Sequence, residues 1–499
     1  MPDASETELK LALRPEDLDA LLAHPTVRRL GPPSTLVSTY WDTPDARLAQ
    51  ARLTLRVRKE NGRRTQTLKS RGDGLFTRDE WNVNVHSDQP ELAAFADTPL
   101  AAALGDPSER PALAPVCTIA VERRSHAFVR QGARVDMTLD IGEARAAGRV
   151  APILEIELEL AHGPIEAVFA LAEPLFEAAP LRLSVRTKAQ AGLSLTEAPH
   201  SAVRGEDAIL DLQMSCAEAF RAIGRVCLTQ LLANEALVRE NRAAEAVHQT
   251  RVAIRRLRAA MSLFSNMLVD PESQRLKAAL RRLASALGQA RDLDVLIHSV
   301  TRLDLPASFD LASLIAALEQ RRRDACDEAI AELEQPGSAR LLFDTARWLE
   351  TGAWAGTAAA AGPVRTFAPR VLRKRAGKLR KAARKLAALD AVARHRVRIH
   401  AKKLRYGAEF FASLASGRSG RKAVARLTGA LEPLQTALGG LNDLANAERQ
   451  LRDLAGSSTD PNLAFAAGAA ADAMNCGSRR LLRRACKAAH RMDKTGLLR

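Results

Sequence analysis

The stretch Glu6-Thr7-Glu8-Leu9-Lys10 decides the fold of the N-terminal half of this chain. Alternate side chains of a β-strand point to opposite faces, so an extended pentad has its three charged side chains on one face. Carboxylates are good ligands for Mg²⁺ or Mn²⁺, and a lysine ammonium binds phosphate oxygens. Short charged runs also occur on ordinary surface strands, so the neighbouring strands must decide whether this pentad is a metal and phosphate site.

The same two-residue alternation continues to about residue 195. It recurs at residues 53–58, 65–69, 78–85, 135–140 and 153–160. Turn residues such as Asn61-Gly62 and Gly132 separate these segments, and a few helices are expected, at about 15–24 and 164–177. One face of the segments repeatedly carries Glu, Arg or Lys. We therefore predict an antiparallel sheet or closed barrel whose charged face lines a tunnel, with its apolar outer face covered by helices or by the partner domain.

The pattern changes from strands to helices after about residue 208. Ala, Leu and Arg then recur with helical periodicity as far as residue 495. Breaks at residues 335–338 and at Gly362-Pro363 divide this half. We predict a tunnel domain over residues 1–198, a linker over 199–208 and an all-α domain over 209–499, with two repeats at about 209–345 and 363–495.

The charge of the chain is concentrated in the helical half. The net charge is +16, yet the first 200 residues contain slightly more acidic than basic side chains. A strongly basic domain favours a polyanionic partner. Only 4% of the residues are aromatic, and base-binding proteins usually stack bases on aromatic rings, so phosphate is the better match. No recognition-helix, zinc-finger or RNP signature is found, which argues against nucleic acid.

A basic motif occurs twice in the helical half. Residues 248–258 match residues 395–405, and about 40 residues later 287–293 match 438–444. Four basic positions of each motif lie within about 80° of arc on an ideal helix. Like charges at this spacing repel, and a bound anionic chain would offset the repulsion, although a solvated basic face is the alternative. The predicted anion-binding residues are His248, Arg251, Arg255, Arg258, His395, Arg398, Lys402 and Arg405.

Several classes of protein are disfavoured by the sequence. The six cysteines are scattered without a C-x-x-C pair, which indicates reduced thiols rather than a disulfide framework or a zinc site. No apolar run approaches 20 residues, so we expect no membrane span and a cytoplasmic location. No Ser-His-Asp or Cys-His set and no P-loop stands out. A tunnel carrying both cations and carboxylates suits phosphoanhydride hydrolysis, in which cations neutralise the phosphoryl group and a metal ion positions its oxygens.

The N-terminal half resembles the CYTH superfamily, also called triphosphate tunnel metalloenzymes. The matching residues extend from about 5 to 195 in family order. They are Glu6-x-Glu8-x-Lys10, Leu55-Arg56-Val57-Arg58, Gln66-Thr67-Leu68-Lys69, Arg78-x-Glu80-Trp81, Arg123, Asp140-x-Gly142, Glu155-x-Glu157-x-Glu159 and Thr187-Lys188. Thr187 replaces the usual Ser. The segment around Arg123 lacks the usual aromatic residues, so either Arg123 or Arg124 faces the tunnel.

This resemblance implies an α+β chain that begins with an eight-stranded antiparallel tunnel and cleaves triphosphates with Mg²⁺ or Mn²⁺. The implied metal ligands are Glu6, Glu8, Glu155 and Glu157. The implied substrate-binding residues are Lys10, Arg56, Arg58, Lys69, Arg78, Arg123 and Lys188. The implied catalytic residues are Glu6, Glu8, Lys10, Glu157 and Lys188.

The helical half resembles the CHAD domain, the conserved histidine α-helical domain, over about 209–495. That resemblance implies binding of inorganic polyphosphate by the two basic helices. The fusion resembles bacterial CYTH–CHAD proteins, for which inorganic triphosphatase activity is implied, with association to polyphosphate granules in the cytoplasm. Two alternatives remain open: another triphosphate chemistry (nucleoside or thiamine triphosphatase, or a class IV-type adenylate cyclase), and a non-catalytic granule-binding protein.

Overall fold

The chain forms two compact units. A computed structural model describes residues 4–70, 72, 75–106, 112–196, 202–306, 309–415 and 417–494. The first unit comprises Met1–Val203 together with Gln335–Gly352, and the second comprises Arg204–Glu334 together with Ala353–Arg499. The limits predicted from sequence place residues 335–345 in the first helical repeat, whereas contacts assign the segment from Gln335 to the tunnel unit. Residues 199–201 of the predicted linker and residue 495 of the second repeat lie outside the described residues.

An eight-stranded antiparallel barrel forms the centre of the first unit, as predicted. The strands are β1 Ala4–Ala12, β2 Ser34–Asp42, β3 Leu53–Glu60, β4 Arg63–Ser70, β5 Thr77–Asn84, β6 Ala114–Arg130, β7 Ala133–Ala146, β8 Arg149–His162 and the short β9 Arg182–Ser184. Their order is β5-β4-β3-β2-β6-β7-β8-β1, and β1 pairs back with β5 to close the barrel. The strand β9 pairs with β1 outside this ring of eight.

The alternation of β1 sorts its side chains between the two faces of the barrel. Leu9 and Leu11 are fully buried on the apolar face, whereas Glu8 and Lys10 line the inner cavity. Residue Leu9 lies opposite Leu158 of β8, and Lys10 lies opposite Glu157. The register therefore carries the same inward and outward division from strand to strand.

Short helices cover the outside of this barrel. In chain order they are α1 Leu18–Ala23, α2 Arg47–Gln50, α3 Pro99–Leu104, α4 Glu166–Ala172, α5 Leu175–Ala178 and α6 Lys188–Leu193. Phe169 of α4 is buried and packs edge-on against Phe76, with ring centroids 5.9 Å apart. These contacts supply part of the cover that the apolar outer face requires.

A distant segment completes the cover. The helices α7 Cys216–Asn241, α8 Ala244–Leu263, α9 Pro271–Val300 and α10 Leu311–Glu334 intervene before α11 Pro336–Thr351. The helix α11 belongs to the first unit. Its fully buried Phe343 packs between Phe169 and Phe176, with centroid distances of 5.7 and 4.5 Å. Arg340 and Arg347 of α11 also form ion pairs with Glu173. A helix from within the helical half of the sequence is thus built into the tunnel unit.

One glycine allows two long strands to approach closely. Gly142 of β7 lies opposite Val121 of β6. A Cβ on Gly142 would lie 2.1 Å from the Ala120 carbonyl oxygen, a distance that a real side chain does not permit. The strand pair that carries Arg123 and Asp140 therefore requires glycine at this position.

The second unit is helical. Its elements after α10 are α12 Ala358–Ala361, α13 Val364–Ala383, α14 Ala391–Phe410, α15 Gly417–Ser457, α16 Pro461–Asn475 and α17 Ser478–Lys494. The repeated basic motifs lie on α8 and α14. The 41-residue helix α15 contributes Leu451 and Leu454 to a core with α9, α10 and α16, and Leu431 and Leu434 to a core with α13, α14 and α17. Among the described residues no helix is long and apolar enough to cross a membrane.

Candidate functional site

The barrel encloses a charged cavity of about 320 Å³. Side chains from most of its strands and from the start of α6 line it. They are Glu6, Glu8, Lys10, Tyr40, Thr54, Arg56, Arg58, Lys69, Arg78, Glu80, Asn82, Arg123, Asp136, Thr138, Glu157, Glu159, Leu160, Ala161, Thr187, Lys188 and Ala189. Ten residues predicted as catalytic, substrate-binding or metal-binding are in this set, and Glu155 lies just behind it, bound to Lys188.

The lysine of the opening pentad is held by carboxylates. Lys10 is 6% exposed, and its Nζ donates to Glu8 Oε1 at 2.9 Å and to Glu157 Oε1. Burial acts to lower the pKa of Lys10, but Glu157 and Glu8 outweigh it, so the pKa is raised and the ammonium stays charged. Conversely, burial acts to raise the pKa of Glu157, and Lys10, Lys188 and Arg123 hold it well below its ordinary value.

Lys188 occupies the same network from the other side. It is the first residue of α6, and its Nζ contacts Asp140 Oδ2 at 2.8 Å, Glu157 Oε1 at 2.6 Å and Glu155 Oε1. Thr187 caps this helix by accepting from Gln190 N, while the Gln190 side chain accepts from Thr187 N. The Thr187 side chain therefore forms the N-cap of α6, and it fixes the helix turn that places Lys188 in the cavity.

Arg123, and not Arg124, faces the cavity. Its guanidinium forms a two-pronged contact with Asp140, with Nε–Oδ1 at 2.7 Å and Nη2–Oδ2 at 2.5 Å. The same Nη2 donates to Glu157 Oε2 at 2.9 Å. Asp140 is fully buried, and although burial acts to raise its pKa, Arg123 and Lys188 lower it. Asp140 therefore fixes the orientation of Arg123.

A second acidic pair surrounds Lys69. Its Nζ lies 2.6 Å from Glu6 Oε2 and 2.9 Å from Glu80 Oε2. Burial raises the pKa of Glu6 to about 7, and the neighbouring carboxylates Glu8 and Glu80 add to that rise. Burial also acts to raise the pKa of Glu80, but Lys69 and the hydrogen bond from Glu6 lower it to about 2. The pKa values of these two neighbouring carboxyl groups on β1 and β5 are therefore shifted in opposite directions.

Three arginines of the cavity differ from Lys10, Lys69, Arg123 and Lys188 in their contacts with carboxylates. Among the described residues, Arg56, Arg58 and Arg78 have no carboxylate in ion-pair contact, and Arg56 Nε is buried without a hydrogen-bond partner. Burial, together with Arg56 and Arg123, lowers the pKa of Arg58 to about 10. The cavity therefore contains cations without an ion-pair partner as well as carboxylates.

The carboxylates fit a divalent cation by their chemistry. Among the residues that the structure describes, Asp140, Glu155 and Glu157 have one oxygen each within 4.8 Å of the others. Such hard oxygen donors match Mg²⁺ or Mn²⁺. The tight group contains Glu155 and Glu157 of the predicted ligand set together with Asp140. The other two predicted ligands, Glu6 and Glu8, lie on β1 beside Lys69 and Lys10.

Four carboxylates of this site, Glu80, Asp136, Asp140 and Glu159, are absent from the predicted ligand set. The sequence predicts that Glu80 orients Arg78 or joins the metal shell and places Glu159 in the wider acidic set, whereas it gives Asp136 and Asp140 no role. The spacing of Asp140 and Glu80 in the sequence could have identified them as site residues. Asp140 is two residues before the required Gly142, and Glu80 is two residues after Arg78 on the same strand face. Tyr40 forms a hydrogen bond with Arg56, but the pattern of charged residues in the sequence could not identify it because its side chain is uncharged.

Four of the eight predicted anion-binding residues meet in the second unit. Arg251 and Arg255 of α8 lie beside Arg398 and Lys402 of α14, and we name these four the central cluster. Arg251 Nη1 donates to the Gly288 carbonyl at 3.0 Å and lies 3.3 Å from Asp292. Arg398 Nε is buried without a hydrogen-bond partner.

The central cluster contains more cations than carboxylates. Asp292 and Asp443, which occupy equivalent positions in the two repeats, are the carboxylates that face it. Burial, followed by Arg255 and Arg398, lowers the pKa of Lys402 to about 7. Arg255 Nε donates to the Tyr406 hydroxyl at 2.7 Å. The fold therefore holds an excess of positive charge in place.

The remaining four predicted residues lie around or away from this cluster. His248 faces Arg251, Arg255 and Arg291, and burial together with these cations lowers its pKa. His395 Nδ1 is 2.6 Å from Asn442 Oδ1. Arg405 Nε donates to Glu409 at 2.6 Å. Arg258 faces another cation, Arg281, and has a buried Nε without a hydrogen-bond partner.

Family models match both halves of the chain. A CYTH domain matches residues 4–193 and a CHAD domain matches residues 222–452. The chain therefore carries a CYTH domain followed by a CHAD domain.

Individual relatives are similar to parts of the chain. An inorganic triphosphatase of Haemophilus influenzae is 31% identical over 197 residues, which cover 38% of this chain and 54% of the relative, so the chain spans about half the length of the relative. The CHAD domain of the plant Ricinus communis has 30% identity and a TM-score of 0.52, covering 58% of this chain and 97% of that structure. A putative adenylyl cyclase from Hippeastrum, described as having a dominant triphosphatase activity, has 18% identity and a TM-score of 0.31, covering 39% of this chain and 98% of that structure.

Proposed function

We propose that the tunnel unit hydrolyses inorganic triphosphate with Mg²⁺ or Mn²⁺. The observation that carries this proposal is the presence of two kinds of charged group in one cavity. Among the described residues, Arg56, Arg58 and Arg78 have no carboxylate in ion-pair contact, and buried carboxylates border the same cavity. A highly charged anion bridged by a divalent cation needs both kinds of surface, whereas a simple anion-binding protein gains nothing from the carboxylates. The similarity to an inorganic triphosphatase over the CYTH region supports the same activity.

The metal would be held by carboxylates of β1 and β8. The predicted ligands are Glu6, Glu8, Glu155 and Glu157, and Asp140 belongs to the same buried group. When bound, the metal neutralises phosphate oxygens and aligns them with the attacking water. Lys10 and Lys188 neutralise part of the same carboxylate group.

The cations would bind the phosphate chain. Arg56, Arg58 and Arg78 offer guanidinium N–H groups to non-bridging oxygens, and Arg123 is oriented toward the cavity by Asp140. Lys10, Lys69 and Lys188 add point charges along the tunnel. Developing charge on the leaving phosphate is thus stabilised by groups that are already in position.

Direct attack by water fits this site better than a covalent intermediate. Among the described residues, the lining of the cavity contains no serine, cysteine or histidine that could act as the nucleophile. The carboxylates Glu6, Glu8 and Glu157 border the cavity and would help to position the water.

The test is phosphate release from tripolyphosphate by the full chain with Mg²⁺ or Mn²⁺. We expect turnover that falls at least about 100-fold in a Glu6→Ala, Glu8→Ala variant. Equal release by wild type and variant would refute the enzyme proposal. Parallel rates on ATP and thiamine triphosphate, with a cyclic AMP assay, decide the substrate, and faster turnover of either compound would replace inorganic triphosphate as the substrate.

We also propose that the second unit binds inorganic polyphosphate through the central cluster. Its excess of cations and the buried, unpartnered Arg398 Nε support this assignment. The other predicted residues, His248, Arg258, His395 and Arg405, would contribute from the flanks. Binding of this kind would bring the enzyme to polyphosphate granules.

Polyphosphate binding is tested by neutralising the central cluster. The variant is Arg251→Gln, Arg255→Gln, Arg398→Gln, Lys402→Gln in the full chain. We expect salt-sensitive binding of long-chain polyphosphate by the wild type and at least about a tenfold loss in the variant, since each phosphate contact is charge-assisted. Unchanged affinity would remove the central cluster as the site.

A further inference from the structure

A second basic cluster lies where α8, α9, α13 and α14 meet. It consists of Arg258, Lys277, Arg281, Arg375, Lys378, His400 and Lys403, and we name it the junction cluster. Lys277 faces Arg258 and Arg375, and Lys403 faces all three of these residues. The neighbours of Lys402 in the central cluster are a different set, so the two groups are separate.

The junction cluster has no carboxylate to balance it. Among the described residues, none of its members forms an ion pair. Arg258 Nε and His400 Nδ1 are buried without hydrogen-bond partners. Buried polar atoms are normally paired, so these two indicate an occupant that the protein itself does not supply. Like charges packed together at this density require an anion to offset their repulsion.

One member of the junction cluster is fixed in place. Arg375 Nη2 donates to the carbonyl oxygen of Ser262, at the end of α8, and to its Oγ at 3.0 Å. Lys277 and Lys403 are half-buried, and Lys378 is exposed. The cluster is therefore a positioned group of cations and differs from a run of freely solvated side chains.

The second repeat lacks an equivalent cluster at the corresponding place. Glu432 occupies the position of Arg281, and Thr428 occupies that of Lys277. Arg405, the counterpart of Arg258, is bound to Glu409 and faces Glu432.

The counterpart of Lys403 is also satisfied in its own repeat. Arg256 is buried, and it donates to Gln230 Oε1 at 2.9 Å and to the Glu206 carbonyl at 2.7 Å. The surroundings of α8 and α9 therefore differ in charge from the equivalent surroundings of α14 and α15, where Arg405 has a carboxylate partner and Arg256 is hydrogen-bonded.

We propose that the junction cluster is a second phosphate-binding site for the continuation of a polyphosphate chain held at the central cluster. This inference rests on the proposed polyphosphate binding. Arg251 and Arg258 are seven residues apart on α8, a separation of about 10 Å along the helix, which a linear chain of phosphates bridges. The cluster contains no Phe, Tyr or Trp for base stacking, so polyphosphate fits better than single-stranded nucleic acid. The bound polyphosphate would therefore extend from the central cluster toward the junction cluster.

The test compares three variants of the full chain in binding long-chain polyphosphate. The junction variant is Lys277→Gln, Lys403→Gln, which leaves the structural Arg375 in place. The charge-matched control is Arg421→Gln, Lys422→Gln, two exposed cations of α15 that are not neighbours of either cluster. The third variant is Arg251→Gln, Lys402→Gln in the central cluster.

We expect the junction variant to bind long chains about tenfold more weakly, with a salt dependence reduced by about two contacts, while the control is unchanged. Short chains that cover the central cluster alone should show no loss. Circular dichroism and the melting temperature verify that each variant folds. If the double variant does not fold, the single variant Lys277→Gln is used in its place, and we expect it to show a smaller loss of affinity.

The possible results separate this inference from the function on which it rests. Wild-type affinity in a folded junction variant, with weakened binding in the central variant, overturns only the junction site. Absence of polyphosphate binding by the wild type overturns both proposals. Tighter binding of a single-stranded oligonucleotide than of polyphosphate, lost in the junction variant, would overturn polyphosphate as the occupant.

Discussion

The tunnel and the central cluster both collect basic side chains, but they balance the charge differently. In the tunnel, Lys10, Lys188 and Arg123 each contact buried carboxylates. In the central cluster, four cations face two aspartates, and burial among like charges lowers the pKa of Lys402 to about 7. Balanced charges make a buried site stable by itself, which suits the proposed binding of an anion together with a metal. Unbalanced cations suit the proposed binding of an anion alone, with an affinity that depends on salt and pH.

The largest effect should follow from removing charge balance in the tunnel. Asp140→Asn leaves Arg123 and Lys188 short of a buried partner, and we expect a loss of about 3 kcal/mol in the free energy of unfolding, measured by chemical denaturation. The matched change in the central cluster is Asp292→Asn, where both partners are partly exposed and the loss should stay below about 1 kcal/mol. Equal losses of unfolding free energy at the two positions would contradict the expected difference between the tunnel and the central cluster.

The outer cover of the tunnel should be nearly as sensitive. Phe343→Ala removes a fully buried ring from between Phe169 and Phe176, and we expect it to destabilise the tunnel unit by about 3 kcal/mol. The control is Phe465→Ala, whose ring is stacked on Phe309 but is 64% exposed. Denaturation that is unaffected by Phe343→Ala would show that α11 contributes nothing to the cover.

The pH dependence should distinguish the two sites with a smaller effect. Free Lys402 has a pKa of about 7, and a bound anion raises it, so binding above that value takes up a proton. We expect polyphosphate affinity to be highest below about pH 7 and to fall by up to about tenfold for each further pH unit, because one proton is linked to binding. The groups facing Lys402 are Arg251, Arg255, Arg398 and Asp443.

The matched control for this pH effect is Lys402→Arg, whose guanidinium stays protonated throughout. Binding isotherms across this range should be nearly flat for the arginine variant. The same slope in wild type and variant would assign the pH dependence to another group.

The smallest effect concerns the cap that positions Lys188. Thr187→Ser retains the hydroxyl and should leave stability and tripolyphosphate turnover unchanged. Thr187→Ala loses the hydrogen bond to Gln190 N and should cost about 1 kcal/mol of stability, with reduced turnover because the first turn of α6 carries Lys188. Thermal melting with a steady-state assay measures both. A serine variant as impaired as the alanine variant would point to packing rather than capping.

Strand alternation was enough to predict the tunnel, because a residue pattern of period two fixes which side chains face inward once one strand is placed. It therefore placed Glu6, Glu8 and Lys10 correctly on the inner face. It could not choose between Arg123 and Arg124, because the register of β6 depends on pairing with β7 through Gly142. Helical spacing predicted two stripes of four residues, but only four of the eight side chains meet, since the approach of α8 to α14 is a tertiary property. The assignment of α11 to the tunnel unit depends on contacts made far along the chain.

The position of α11 limits how this chain can be divided into folded fragments. A fragment ending at residue 203 would contain every strand of the barrel and yet omit the helix that buries Phe169 and Phe176. The tunnel unit is discontinuous in sequence. A folded tunnel fragment would need residues 336–351 as well, supplied by fusion or as a separate peptide.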